Sequence, residues 1–382
     1  MEGENITRAV LVSLLLAVVL SFSGCLGLGG KGTTTSEYRN DSQGIFKSTD
    51  GGKTWQQKVA IEGDEERRLD QISTGSIAID PMNTQVLYLG TLGHGMFKTE
   101  NGADTWYEVS DENNKFRDNS LIYDIQVEKG NSNVIYAATL NDNRGVLLKT
   151  EDGGKSWTES YISAEAGKAI KRVQIDARQP NAVYIGTAQG GFLKSADRGQ
   201  SWSMVKWFGY EVKDFAVDYA DGRNIMVLTS NGLFKTADGG ADEEASWQSL
   251  TKTLKEFLDI RKASISQITS IAVDNQDPWV FYLTYKNLIF VTRDAGLSWG
   301  VLDTITPTTS KNRNNSVPEI KKIGLMDGTI YYGAGNAFYK STNKGLSWSS
   351  FDIPILGDVK YTVSDPNDQN IIYVGALYNN KN

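Results

Sequence analysis

A short motif recurs seven times along the 382-residue chain, and it constrains the fold more than any other feature. Each copy reads Ser/Thr-x-Asp/Asn-x-Gly/Ala-x-Ser/Thr-Trp, although the fifth copy carries a four-residue insertion before its Ser-Trp pair. Neighbouring copies lie 41 to 56 residues apart, a period that indicates units packed in a repeated array. The Asp/Asn positions are Asp50, Asn101, Asp152, Asp197, Asp238, Asp294 and Asn343.

Each copy of the motif predicts a tight turn between two strands. An alternating apolar segment, such as residues 44–47, precedes it and has the composition of a strand. The Asp50 carboxylate can accept backbone hydrogen bonds, and the glycines that follow tolerate positive φ. Ala103 replaces such a glycine, so we expect it to strain its turn. The closing Trp opens the next strand and supplies apolar surface to bury.

A second pair of strands precedes each motif, as at residues 77–80 and 86–91. Each unit therefore has four strands, A to D, with the motif between C and D. One four-stranded sheet per repeat around a central channel is the architecture of a propeller blade.

The two ends of the sequence predict one shared blade. Residues 361–363 and 371–375 supply an A and a B strand, whereas residues 44–47 and Trp55 supply a C and a D strand. Joining them closes the ring and removes free sheet edges. We therefore predict an all-β, seven-bladed β-propeller over residues 40–382.

The first 25 residues predict an exported, lipid-anchored protein. Residues 9–22 form an apolar run suited to a signal peptide, and it ends in Phe22-Ser-Gly-Cys25, which resembles a bacterial lipobox. Residues 26–39 have the composition of a flexible Gly/Thr/Ser linker. We expect lipidation at Cys25 and an extracytoplasmic, membrane-anchored propeller; the alternative is an uncleaved anchor helix within residues 7–28.

The repeats resemble those of the Asp-box (BNR) propellers, found in sialidases, sortilin-type receptors, xyloglucanases and the photosystem II stability/assembly-factor-like proteins. One motif in each of seven compact blades, behind a lipoprotein-type leader, is most similar to the assembly-factor-like group. Sialidases typically have six blades and an Arg-Ile-Pro motif, which this sequence lacks. The resemblance implies the fold, but these families differ in activity, so it implies no single reaction.

Composition argues against several kinds of site. The formal net charge of −7 gives no indication of a nucleic-acid partner. One histidine and one cysteine leave too few ligands for a zinc site, so we expect no metal and no cofactor. The Gly-rich segment 27–32 follows a signal segment, and Ser298 lies in a repeated turn, so neither context suits a dinucleotide or nucleophile motif.

The candidate ligand face is the one opposite the Asp boxes, where the relatives usually meet their ligands. It carries the B–C and D–A loops, including His94 and Arg144. The D–A loop at residues 250–263 predicts a short amphipathic helix, and the loop at 304–318 is polar. Aligning the A strands predicts a ring at the channel mouth, formed by Ser76, Asp124, Arg172, Asp214, Ser270, Lys322 and Lys360.

The charges of that ring are compatible with three interpretations. They could be mutually neutralising ion pairs, a ligand site, or a pair of catalytic carboxylates. We expect a monomeric, non-enzymatic propeller that binds a protein partner at a membrane surface as an assembly or scaffolding factor. The alternative is a glycan-active protein, either a hydrolase of xyloglucanase or sialidase type or a carbohydrate binder, with Trp207, Tyr210 and Tyr285 as stacking candidates.

Overall fold

The computed structural model describes residues 43–116, 119–302, 318–355 and 357–376. The described residues form seven four-stranded sheets and one two-stranded hairpin, which confirms the predicted fold class. The predicted signal segment, the linker and Cys25 lie outside the described residues, as does nearly all of the predicted polar loop at 304–318.

Blades 1 to 3 take their strands consecutively from the chain. Their strands are β5 (Thr74–Ile79), β6 (Leu87–Thr91), β7 (Met96–Thr99) and β8 (Tyr107–Glu108); β9 (Leu121–Val127), β10 (Ile135–Asn141), β11 (Arg144–Thr150) and β12 (Thr158–Ala166); and β13 (Ile170–Ile175), β14 (Val183–Thr187), β15 (Gly191–Ser195) and β16 (Ser203–Trp207).

Blades 4 to 6 follow the same order. Their strands are β17 (Val212–Val217), β18 (Ile225–Thr229), β19 (Leu233–Thr236) and β20 (Gln248–Ser249); β21 (Ile268–Val273), β22 (Phe281–Tyr285), β23 (Leu288–Thr292) and β24 (Gly300–Leu302); and β25 (Ile323–Met326), β26 (Thr329–Ala334), β27 (Ala337–Ser341) and β28 (Ser349–Asp352).

Blade 7 contains strands from both ends of the described chain, as predicted. It consists of β29 (Val359–Ser364), β30 (Ile372–Ala376), β1 (Ile45–Ser48) and β2 (Gln56–Gln57). Strand β1 lies antiparallel to β30 through four residue pairs, from Ile45 opposite Gly375 to Ser48 opposite Ile372. The ring is therefore closed by hydrogen bonds between the two ends.

The Asp boxes and the A–B turns lie on one face and are bonded to each other. In the first box, the Asp50 carboxylate accepts hydrogen bonds from the backbone N–H and the hydroxyl of Thr54, at 2.9 and 2.6 Å. These bonds lower the Asp50 pKa to about 2. The next residue, Gly51, donates its N–H to the Asn370 carbonyl in the A–B turn of the same blade, at 3.0 Å. The boxes are therefore turn-forming elements.

In each box, the two residues after the Asp/Asn both have positive φ. The sequence predicted this conformation for glycines, but non-glycine residues adopt it as well. Ala103 has φ of 76°, as expected from its place in the turn. Arg198, Ala295 and Lys344 share this left-handed conformation, with φ of 56–58°, at the position directly after the box Asp/Asn. Non-glycine residues adopt that region at a steric cost, so the box hydrogen bonds must hold these turns.

The hydrophobic core is divided into clusters between neighbouring sheets. One cluster joins Tyr184 and Phe192 of blade 3 to Phe215 and Val227 of blade 4. The predicted helix is present as α1 (Thr251–Asp259), and its buried Leu254 and Leu258 belong to the core cluster of blades 4 and 5. No helix among the described residues is long and apolar enough to cross a membrane.

The D–A connection into blade 1 contains a hairpin that the sequence did not predict, β3 (Ala60–Ile61) and β4 (Asp64–Arg68). The backbone of Trp106 donates to the Ala60 carbonyl at 2.9 Å and accepts from the Glu62 N–H at 2.7 Å. The hairpin therefore adds backbone hydrogen bonds at Trp106, the residue directly before the short outer strand β8.

Candidate site at the channel mouth

A β-bulge in the A strand positions the channel-mouth residues. In blades 1–5 and 7 the pairing of the A and B strands shifts by one residue close to the start of the A strand. A bulge inserts one extra residue and redirects side chains, so two consecutive residues become available at the mouth. Lys321 and Lys322 precede β25 and hold the corresponding positions of blade 6.

The second residue of each pair belongs to what we call the inner ring, which lines the channel. Its members are Ser76, Asp124, Arg172, Asp214, Ser270, Lys322 and Tyr361. The first residues form what we call the outer tier, which lines the cavity above the ring. Its lining members are Tyr123, Lys171, Lys213, Thr269, Lys321 and Lys360.

Blade 7 differs from the predicted ring, because Tyr361 and not Lys360 occupies the inner position. Tyr361 pairs with Gly375 just as Arg172 pairs with Gly186 in the same register. The next residue, Thr362, stands where the other A strands carry an apolar core side chain. The sequence pattern therefore places Tyr361 wrongly at the first core position, and Lys360 belongs to the outer tier.

The Tyr361 side chain crosses above blade 1 to reach blade 2. Its hydroxyl donates a 2.9 Å hydrogen bond to the Tyr123 carbonyl. The bulge residue of blade 1 is Gly75, which packs against blade 2. A Cβ on Gly75 would lie only 2.1 Å from the Ile122 carbonyl oxygen, so no larger residue fits there.

Arg172 forms ion pairs with both carboxylates of the inner ring. It donates from Nη1 to Asp124 Oδ2, and its Nε lies 3.1 Å from Asp214 Oδ1 in an ion contact that lacks hydrogen-bond geometry. The side chains of Arg172, Asp124 and Asp214 are 18%, 5% and 8% exposed. Burial opposes the charge of Arg172, but the two carboxylates raise its pKa above the usual value.

The same two carboxylates also connect neighbouring blades through the backbone. Asp124 accepts the N–H of Val173 in blade 3 at 3.2 Å, and Asp214 accepts the N–H of Ile271 in blade 5 at 3.1 Å. Blades 2 to 5 are therefore linked through one buried ionic group. This geometry agrees with the ion-pair interpretation of the ring.

Positive charge exceeds negative charge above the ring. Among the described residues, a cavity of about 140 Å³ is lined by six cationic side chains and two carboxylates, those of Asp124 and Asp214. Two nearby carboxylates pair with the outer tier: Glu211 lies 3.8 Å from Lys171, and Glu319 pairs with Lys321. Lys213 donates to two backbone carbonyls, those of Ser266 and Ile268.

Three lysines at the mouth have lowered pKa values, as expected where cations crowd. Burial, followed by repulsion from Lys171 and Lys321, lowers the pKa of Lys360 to about 8. Burial is also the main cause for Lys322, with a further contribution from Arg172. Burial lowers the pKa of Lys213 as well.

A second cavity lies on the Asp-box side of the ring and has a volume of about 420 Å³. Asp124, Arg172, Lys322 and Tyr361 line both cavities. The inner ring therefore forms a constriction between two compartments of the channel.

Other predicted site residues lie away from this constriction. His94 and Arg144 are exposed in the B–C turns of blades 1 and 2, and neither lines the two channel cavities. Trp207 and Tyr210 are 48% and 52% exposed. Tyr285 is buried, stacks on Phe290 and donates to Gln267, so it offers no platform to a ligand.

Sequence reasoning missed most of the outer tier. The consecutive pairs Lys171-Arg172, Lys213-Asp214 and Lys321-Lys322 carried the signal. In a regular strand, successive side chains point to opposite faces, so only one member of each pair was assigned to the channel. The bulge overrides that alternation.

Comparison with known proteins agrees with this architecture. A family model described as BNR/Asp-box repeat matches residues 46–57. The xyloglucanase Xgh74A of Acetivibrio thermocellus is 26% identical over 289 residues, which cover 70% of this chain and 30% of that protein. The chain thus spans less than a third of the length of this curated relative.

Solved structures share the fold at low sequence identity. YCF48 from Cyanidioschyzon merolae has a TM-score of 0.58 and 14% identity, covering 80% of this chain and 96% of that one. A structure of YCF48 bound to D1 peptide gives 0.57 and 12%, covering 80% and 94%. The GH74 xyloglucanase from Xanthomonas campestris gives 0.62 and 15%, covering 84% and 52%. The chain is therefore a seven-bladed propeller of the BNR/Asp-box type, with the fold of YCF48 and of the GH74 xyloglucanases.

Proposed function

We propose that this chain is a membrane-tethered, non-enzymatic assembly or scaffolding factor that binds an acidic segment of a protein partner at its channel mouth. The observation that carries the proposal is the outer tier, where Lys171, Lys213, Lys321 and Lys360 surround one cavity. Exposed charge of one sign attracts and orients a partner of the other sign.

One of the solved structures that share the fold supports a protein partner. YCF48 matches this chain over 94% of its own length and 80% of this chain, and one of its structures is bound to D1 peptide. A glycosidase needs two approachable carboxylates that exchange protons with its substrate. Asp124 and Asp214 are buried and already bonded to Arg172 and to backbone N–H groups. That arrangement suits structural ion pairs better than acid–base catalysis.

Reversing two outer-tier charges is expected to weaken binding without unfolding the protein. We expect Lys321→Glu/Lys360→Glu to lower the affinity for a labelled decaglutamate peptide about tenfold at low salt, with a smaller loss at high salt, because salt screens exposed charges. Peptide titration at two salt concentrations measures the affinity. The melting temperature is expected to change little, because Lys360 forms no ion pair among the described residues and the partly exposed Lys321–Glu319 pair contributes only about 0–1 kcal/mol to stability.

A variant with the same change of net charge on the Asp-box face is the control. Lys53→Glu/Lys155→Glu alters two exposed lysines there and is expected to retain binding. Equal losses in the two variants, or wild-type protein with no preference for decaglutamate over a neutral peptide, would contradict the proposal. Capture of the native partner from the protein's own membranes can then be compared between the same variants.

The membrane tether is proposed from the sequence of the leader. Cys25→Ser is expected to leave an uncleaved precursor or to release the protein from membranes, because the lipid acceptor is lost. Intact-mass measurement of the membrane-bound wild-type protein is expected to show acyl chains. An unmodified Cys25 in that fraction would refute the lipoprotein proposal.

Glycan binding is the second candidate function. It is favoured by the exposed Trp207 and Tyr210, by a groove of about 430 Å³ that Tyr210 helps to line, and by sequence similarity to a xyloglucanase. Aromatic faces of this kind can stack on apolar faces of ligands. Hydrolysis of a glycan panel that is abolished by Asp124→Asn or Asp214→Asn would replace the assembly-factor proposal with this one.

A further inference from the structure

We call the cavity bounded by the inner ring and the outer tier the channel throat. On one side of it, polar groups lack hydrogen-bond or ion-pair partners among the described residues. Asp124 and Asp214 direct their oxygens to Arg172 and to backbone N–H groups on the side of blades 2 to 5. Lys322 and Ser270, contributed by blades 6 and 5, lie on the remaining side of the ring.

Lys322 has no carboxylate partner within ion-pair distance among the described residues. Its ammonium lies 5.6 Å from the centre of the Tyr361 ring. Ser270 is 3% exposed, and its hydroxyl makes no hydrogen bond to any described residue. A half-buried cation and a buried hydroxyl without partners both destabilise the folded state unless another group satisfies them.

The volume and the polar groups of the throat indicate which class of ligand could satisfy Lys322 and Ser270. Its volume of about 140 Å³ corresponds to roughly four or five water molecules, which is enough for a tetrahedral oxyanion. Lysine ammonium groups bind such anions as point charges, and a serine hydroxyl can donate to an anionic oxygen. Lys360, whose ammonium also lies 5.6 Å from the centre of the Tyr361 ring, adds a further cation.

We propose that the channel throat binds one small divalent oxyanion of the sulfate or phosphate class, held by Lys322 and Ser270 and supported by Lys360. Lys322 and Ser270 belong to the inner ring of the cavity whose outer tier would contact the partner segment. The ion site goes beyond the proposed function, because a free ion can bind there whether or not a protein partner does. Burial is the main cause of the lowered pKa values of Lys322 and Lys360, and neighbouring cations lower them further.

The test uses sodium sulfate and sodium phosphate as probes against the full-length protein. Equilibrium dialysis with radiolabelled sulfate is expected to give about one bound ion per chain, and each oxyanion is expected to raise the melting temperature more than sodium chloride of equal ionic strength. An ion that binds the folded state and not the unfolded one stabilises the folded protein. Sulfate and phosphate also stabilise proteins generally by exclusion from their surface, so the specific effect is the part of the shift that Lys322→Met abolishes. Equal effects of sulfate, phosphate and chloride would overturn the proposal.

Two variants and one control locate the ion. Lys322→Met is expected to reduce sulfate affinity about tenfold or more, because it removes the central charge. It should remain folded, since it replaces an unpaired buried ammonium with an apolar side chain of similar length. Ser270→Ala is expected to cause a smaller loss, and the exposed Lys53→Met is expected to bind sulfate as the wild type does. Retention of wild-type sulfate binding in folded Lys322→Met would refute the site.

The two proposals can fail separately. Wild-type protein that binds decaglutamate but gives no specific sulfate effect would refute the ion site and leave the docking surface intact. Sulfate binding without decaglutamate binding would refute the docking surface and leave the ion site intact.

Discussion

Deletion of residues 359–382 is expected to prevent the chain from remaining a folded monomer. The deletion removes β29 and β30, so β1 loses its only described neighbour on that side, and the apolar Ile45 and Phe46 lose their cover. Exposed strand edges with apolar side chains pair with other chains. Size-exclusion chromatography and thermal unfolding are expected to show aggregation and the loss of a cooperative transition.

A circular permutant separates loss of closure from loss of residues. Joining Ala376 to Gln43 with a short Gly/Ser linker, and opening the chain in the exposed insertion at residues 242–245, keeps every described strand. Because exposed loop sites tolerate new termini, this permutant is expected to stay monomeric with nearly wild-type stability. A truncated chain that remains monomeric with an unchanged melting temperature would refute the role of the shared blade.

Arg172→Met is expected to destabilise the protein by about 3–5 kcal/mol, because it leaves the buried Asp124 and Asp214 without their cation. Chemical denaturation measures the free energy of unfolding. The triple variant Asp124→Asn/Arg172→Met/Asp214→Asn is expected to recover much of the loss, since neutral amides need no counter-ion. A loss below about 1 kcal/mol for the single variant would be typical of an exposed ion pair and would contradict this role.

The charges of the ring therefore do not all contribute to one ligand-binding surface. The sequence assigned Arg172, Lys322 and Lys360 to one candidate surface. The structure gives them different environments: Arg172 is paired and mostly buried, Lys322 lies in the ring without a carboxylate, and Lys360 belongs to the outer tier. A partner-binding experiment that mutates Arg172 would therefore measure stability together with affinity.

The fold was predictable because each repeat carries its own local signals. The Asp boxes, the alternating strands and the box tryptophans occur in every unit, and the turn chemistry depends on residues only a few positions apart. The short helix α1 was also predictable from its apolar spacing, although it is shorter than the predicted segment 250–263, and Ile260, which follows it, is 82% exposed. The hairpin β3–β4 was not, because β3 has only two residues and β4 consists entirely of charged residues.

The candidate site was only partly predictable, for a reason visible at Tyr361. Whether Tyr361 belongs to the ring depends on which residue of β30 it faces. Because Thr362 is not apolar, the sequence pattern did not show where the core positions of this strand begin. The bulges that create the outer tier depend on contacts between A and B strands. A pattern of alternating residues does not encode such an extra residue.

The sequence by itself determined the number of blades, their strand order, the face that carries the Asp boxes and the closure by both ends, because these follow from local turns repeated at a regular period. Only the tertiary structure decided which charges are neutralised. Asp124, Arg172 and Asp214 come from three different blades, and their burial and pairing exist only once the ring has closed. Electrostatic environment depends on distances across the channel, and those distances are set by packing between blades.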